Sequence, residues 1–171
     1  MAGVPATGSG PSRRIGGLRI AVIEARFYDD IADELVAGAL GVIEADGSTA
    51  HRFAVPGALE LPQLAQIVAA RGRSIAGPKG LPDRFDGIVA LGCVIRGETS
   101  HYDIVCNNAN HFLYEAARQH AIPVGNGILT VDTREQALAR ARGGVAGKGG
   151  DAARACLRLI EVAHDLLGRT P

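Results

Sequence analysis

The sequence predicts an α/β fold, a four-stranded parallel sheet with helices on both faces, and three observations lead there. Short apolar runs rich in β-branched residues recur along the chain, as expected of strands buried on both faces. Stretches with apolar residues at helical spacing stand between them, and the two kinds of segment alternate. The length of 171 residues suits one domain, and a hydrophobic content of 47% is enough for a single core.

The first strand is LRIAVIE, from Leu18 to Glu24, which follows a glycine pair. Past the loop ARFYDD, Ile31, Leu35, Ala39 and Val42 recur at helical spacing until Asp46-Gly47, a helix stop. TAHRFAV, ending at Pro56, is the second strand, and a helix carrying Leu64, Ile67 and Val68 follows it. The third strand, FDGIVALGCVI, spans Phe85 to Ile95. A long helix from about His101 presents Val105, Ala109, Phe112, Leu113 and Ala116 on one face. A fourth strand covers Val124 to Val131, a short helix runs from Arg134 to about Arg142, and a last helix from about Gly150 to Leu167. This order describes a three-layer sandwich of flavodoxin-like type. Residues 71–84, RGRSIAGPKGLPDR, read as a surface loop inserted before the third strand.

Charge and cysteine usage exclude several classes of function. Lys plus Arg and Asp plus Glu both total 18, so no long-range field draws in nucleic acid or anionic lipid. No stretch approaches the roughly 18 apolar residues needed to cross a bilayer. Cys93, Cys106 and Cys156 are odd in number, far apart and without a C-x-x-C pair. That argues against a disulfide framework and a zinc site, and for a reducing cytoplasm. Residues 1–17 are rich in Gly, Pro and Ser without an apolar core, and read as a flexible arm ahead of a single domain from 18 to 171.

Ligands of open α/β sheets bind outside the carboxyl ends of the strands, which directs attention to ARFYDD, VPGALE, GCVIRGETSH and GILTVDT. In the third loop the chain passes through Gly97, Glu98, Thr99 and Ser100 into a helix beginning at His101. Thr99 or Ser100 can cap that helix, and the backbone N–H groups at its start form an anion site suited to a phosphate. His101 in the first turn feels the positive end of the helix dipole, which favours a neutral ring able to act as a base. A capping-region histidine in contact with solvent is the plainer alternative, and the neighbouring phosphate cradle tips the balance toward catalysis. Phe27 either stacks on a planar heterocycle or packs on a helix. Glu60 either accepts hydrogen bonds from sugar hydroxyls or is a solvated carboxylate at a helix start. Arg140 and Lys148 flank RGGVAGKGG, where a solvated helix face is the ordinary explanation. GKGG is not a P-loop, because Gly149 stands where a hydroxyl is required.

The ordered elements ARF, VPGALELP, DGIVALGCVIRGETSHYDIV, GILTVDTREQALARA and KGGDAA give the chain a resemblance to the lumazine synthase family, from Leu18 to about Leu167. Each motif alone is weakly specific; their joint order is not. The resemblance implies the step of riboflavin biosynthesis that condenses 5-amino-6-ribitylamino-2,4-pyrimidinedione with 3,4-dihydroxy-2-butanone 4-phosphate. Phosphate and water are released, without a metal or organic cofactor. It further implies that Phe27 stacks on the pyrimidine and that Ala58, Leu59 and Glu60 hold the ribityl chain. Cys93, Val94 and Ile95 would give backbone contacts to the ring, Glu98 and Thr99 the amide cradle, and His101 the proton transfer. Arg140 matches the arginine that grips the phosphate, and Lys148 lies in the KG element, where a lysine near the ring is expected. In the family these two groups come from the adjacent subunit, so the implied assembly is a homopentamer, alone or as a capsid of pentamers. Asn126 stands where members often carry Phe in the neighbour's wall, exchanging an aromatic face for an amide. Tyr28 and Asp29 after Phe27 also depart from the commoner RFN form.

Two other classes of function bear comparison. A flavin- or lumazine-binding carrier would keep the cleft and catalyse nothing; Asn126 leaves this open, while His101 and Arg140 are groups a carrier does not need. A flavodoxin-type FMN module needs a hydroxyl-rich phosphate loop after the first strand, and EARFYDD contains neither Ser nor Thr. A shell-forming role is compatible with catalysis.

Overall fold

In the computed structural model, which describes residues 14–71 and 83–168, strand and helix alternate four times and a further helix closes the described chain. The elements are β1 (Arg19–Ala25), α1 (Asp29–Asp46), β2 (Thr49–Val55), α2 (Glu60–Ala70), β3 (Gly87–Ile95), α3 (His101–His120), β4 (Val124–Val131), α4 (Arg134–Ala141) and α5 (Lys148–Leu166). A single 3-10 turn, Gly144–Ala146, joins α4 to α5. The strands are all parallel in the order β2-β1-β3-β4.

Alternation along the central strands divides the core into two layers. Ile20 and Val22 of β1, with Val89, Leu91 and Cys93 of β3, face Leu35, Ala39 and Ile43 of α1 and Ala153, Cys156 and Ile160 of α5. Ala21, Ile23, Ile88 and Ala90 face Leu61, Ala65 and Val68 of α2 and Leu113 and Ala116 of α3. Burying both faces explains why these strands read as unbroken apolar runs. Glycines permit the closest approaches: a Cβ on Gly125 of β4 would lie 1.9 Å from the Ala152 carbonyl of α5, and one on Gly149 would lie 1.8 Å from the Leu35 carbonyl of α1.

Several boundaries and faces differ from expectation. Phe85 precedes the third strand rather than opening it, and is buried edge-on against His51 and Phe53. The buried stripe of α2 is Leu61, Ala65 and Val68, while Ile67 is 68% exposed. Phe112 of α3 is likewise exposed. The last helix starts at Lys148, two residues before the expected position, because Gly149 and Gly150 serve close packing and not a helix stop. At the N-terminal edge, the Ile15 and Gly16 N–H groups donate to the Asp46 carboxylate and Gly17 N–H donates to Gly47 O. Residues 15–17 are thus tied to the turn after α1. The rest of the expected arm, 1–13, and residues 72–82 of the expected surface loop lie outside the described residues.

Candidate active site

Strand order reverses between β1 and β3, and a crevice opens at their carboxyl ends, as the topology requires. The loop after β1 is fixed by ionic contacts. Glu24, 3% exposed, accepts from Arg52 Nη2 at 2.7 Å and from Arg26 Nη1 at 3.4 Å. Arg26 also donates to Asp29 at 2.8 Å and to Asp33 at 2.7 Å, and its backbone N–H donates to Val55 O. With both neighbours held, Phe27 projects from the loop 71% exposed, its ring edge-on to Tyr28 at 4.9 Å. An exposed ring on a rigid loop is what stacking on a flat ligand needs; packing against a helix, the plainer reading, is not what the structure shows.

A cleft of about 280 Å³ lies beside it. Its lining brings together Phe27, Ala58, Leu59, Glu60, Cys93, Val94, Ile95, Thr99 and His101. Gly57, Ala58 and Leu59 form the turn into α2, where Glu60 N–H donates to Gly57 O at 3.3 Å. The strand end supplies Cys93, whose thiol is pushed up to about 11, chiefly by burial. It is a neutral wall near pH 7 and not a nucleophile. His101 opens α3, exposed to the cleft, and its backbone N–H points at the Thr99 hydroxyl 3.4 Å away. Ser100, the other expected cap, makes no side-chain cap bond. Glu98 lies exposed in the same loop but outside the lining.

Asn126, Arg140 and Lys148 do not join this cleft within one chain. Asn126 Nδ2 donates to Asn110 Oδ1 at 2.6 Å and to Tyr114 Oη at 3.4 Å, and its Oδ1 accepts from Ile128 N–H at 2.9 Å. Arg140 is exposed in the last turn of α4 and donates only to Gln136 O of its own helix, at 3.2 Å. Lys148 begins α5, paired with Asp151 at 2.8 Å.

The cleft also contains residues to which sequence reading gave no role in the site: Tyr28, Gly57, Gly97, Tyr102 and Val105. Val105 could have been found, because it stands one helical turn after His101 on the same face. Tyr102 had no such signal.

The charge inventory of the lining decides what it can do. Among the described residues it holds a carboxyl, Glu60, and an imidazole, His101, but no Lys or Arg. Backbone amides at the α3 start can cradle an oxyanion, yet the charge of a phosphate is not balanced from within the lining. A crevice at a topological switch point, with an exposed ring and a helix-start histidine but no cation among its described lining residues, defines an α/β enzyme site for small molecules.

Comparison with known proteins agrees. The family model for 6,7-dimethyl-8-ribityllumazine synthase matches residues 17–164. The chain is 53% identical to the 6,7-dimethyl-8-ribityllumazine synthase of Methylorubrum populi over 148 residues, 86% of this chain and 84% of that protein. It is 48% identical to that of Methylobacterium radiotolerans over 92% of this chain and 89% of the other. Against that of Agrobacterium fabrum the identity is 48% over 86% and 95%. The chain belongs to the 6,7-dimethyl-8-ribityllumazine synthase family.

Proposed function

We propose that the cleft at the ends of β1, β2 and β3 is one half of a composite active site, and that a neighbouring copy supplies Arg140, Lys148 and Asn126. The chemistry is the family's: a transferase step of riboflavin biosynthesis that forms 6,7-dimethyl-8-ribityllumazine. The substrates are 5-amino-6-ribitylamino-2,4-pyrimidinedione and 3,4-dihydroxy-2-butanone 4-phosphate. The observation that carries the composite reading is the separation of charge. The expected ring-stacking, ribityl-holding and proton-transfer residues line one cleft, while both expected cations lie elsewhere on the surface.

In this reading Phe27 stacks on the pyrimidine, Ala58, Leu59 and Glu60 hold the ribityl chain, and Cys93, Val94 and Ile95 present backbone groups to the ring. The 5-amine of the pyrimidine attacks the ketone and loses water to give a Schiff base, phosphate leaves, and the ribityl-bearing amine closes the ring on the remaining carbonyl carbon with loss of a second water. Each step moves a proton, and His101 is the imidazole in the lining placed to give and take it, assistance worth typically about 10²- to 10⁴-fold. The Glu98 and Thr99 amides and the neighbour's Arg140 stabilise the charge that gathers on the departing phosphate. Holding two substrates in one crevice supplies the remainder by proximity. Asn126, with all its amide groups engaged inside its own chain, acts as a fixed wall and not as a free hydrogen-bonding partner for the heterocycle. The assembly implied by the family resemblance is a homopentamer, whose head-to-tail contacts would bring a neighbour's residues to each cleft. A cytoplasmic location fits three unpaired thiols.

Purified protein is mixed with both substrates and followed by the fluorescence of the lumazine, with each substrate omitted in turn. Signal only with both supports the assignment. No turnover with both present, by a protein that binds lumazine, would establish the carrier reading instead.

A further inference from the structure

We propose that Arg96 is a positioning residue for His101, setting the direction of the first turn of α3 and of the 97–99 loop against the end of the sheet. This rests on the reading of His101 as the proton-transfer group.

Arg96 is the first residue beyond β3, and its backbone N–H donates to Val131 O of β4 at 2.9 Å. Its Nε donates to Asp132 Oδ1, just past β4, at 2.9 Å. Its Nη1 lies 3.6 Å from Asp103 Oδ1 in the first turn of α3, and its Cζ lies 4.0 Å over the centre of the Tyr102 ring. One planar group thus ties the end of the sheet to the two residues that follow His101. Tyr102 itself lines the cleft beside His101 and Thr99.

The start of α3 is held by side chains rather than by burial, Tyr102 also hydrogen-bonding to Thr130 of β4. The helix's buried residues are Ala109, Leu113 and Ala116, so the opening two turns carry no fully buried side chain, and Ser100 provides no side-chain cap. Nor is Arg96 free to serve as the phosphate cation, since two carboxylates already face its guanidinium. The side chains of Arg96, Asp103 and Asp132 are 46%, 58% and 65% exposed, so solvent screens these pairs and they add little to folding stability. What a guanidinium fork lying on a ring provides is direction.

The test measures kcat for Arg96→Met and Arg96→Lys in the full-length assembled protein, each alone and combined with His101→Ala. Arg96→Met is expected to lower kcat by about 10- to 10²-fold, as for a misplacement of about 1 Å, with melting temperature and assembly preserved. Arg96→Lys, which keeps the charge and loses the fork, recovers part of that loss. In the His101→Ala background the Met substitution should change kcat by less than about threefold, because both changes remove the same function. Parental kcat in Arg96→Met, or the same factor lost in both backgrounds, overturns the proposal. If Arg96→Met does not assemble, Asp132→Asn carries the same cycle with a smaller loss. Parental kcat in His101→Ala alone sinks the proton-transfer reading, a failure visible without touching Arg96.

Discussion

Replacing Arg140 by Ala removes the cation given to the leaving phosphate, and the structure allows its effect to be sized. Within the chain the guanidinium makes one hydrogen bond, to Gln136 O of its own helix at 3.2 Å, and is otherwise open to solvent. Alanine is as good a helix former as arginine, so folding should change by no more than about 0.5 kcal/mol. The loss then falls on the ligand. A hydrogen bond to a charged group contributes about 1.5–3 kcal/mol, which at about 1.4 kcal/mol per decade is a factor of roughly 10 to 10². Arg140→Ala should therefore raise KM for the butanone phosphate by about 10- to 10²-fold, while KM for the pyrimidine stays within about twofold. Arg140→Lys should fall between, keeping charge without the two-pronged geometry. Initial rates of lumazine formation with each substrate varied in turn supply the numbers, and light scattering confirms that the assembly is intact. Unchanged kcat and unchanged KM for the phosphate substrate in an intact assembly would remove Arg140 from the mechanism.

His101→Ala should lower kcat by about 10²-fold, the low end for acid–base assistance, and leave a measurable rate from proximity alone, seen in steady-state turnover. Alkaline pH should destabilise the fold through buried thiols: Cys93 and Cys156 are pushed up from 9.0 to about 11 and about 12, chiefly by burial. Between the ordinary value and the raised one the native state holds protons the unfolded chain has lost, so stability present below pH 9 declines as pH rises toward 11 and beyond. Melting curves across that window should show it, and Cys93→Ala should flatten the slope; a pH-independent melting temperature contradicts the burial. Gly125→Ala would place a Cβ 1.9 Å from the Ala152 carbonyl, and should cost about 1–3 kcal/mol or more. At about 2–4 °C per kcal/mol the shift is readable by calorimetry, and a parental melting temperature contradicts the packing of α5 on β4.

The β/α rhythm was legible because burial on both faces leaves strands as uninterrupted apolar runs and helices with a marked stripe. Three of the four loops expected from the carboxyl-end rule build the cleft, while GILTVDT after β4 gives no residue to its lining. What the sequence hid has physical causes. Ile67 and Phe112 carry the apolar character of core residues but face outward, and hydrophobicity alone does not tell a core position from an exposed one. Gly149 and Gly150 lie inside the start of α5, where a side chain would strike the Leu35 carbonyl of α1 at Gly149 and the Val145 carbonyl at Gly150. Arg96 and Tyr102 gave no signal, since their contact joins a strand end to a helix start through three-dimensional proximity. The placement of Arg140 and Lys148 away from the cleft was expected from the family resemblance and from nothing in their local sequence.

Subunit complementation probes the shared site most directly. His101→Ala and Arg140→Ala chains, each weakly active alone at phosphate-substrate concentrations well below KM, are unfolded together in equal amounts and reassembled. If His101 of one copy meets Arg140 of the next, random mixing rebuilds about a quarter of the sites intact, and activity should rise to about a quarter of the parental level. A mixture no more active than the mean of its two parents would mean that both residues act within a single subunit or not at all.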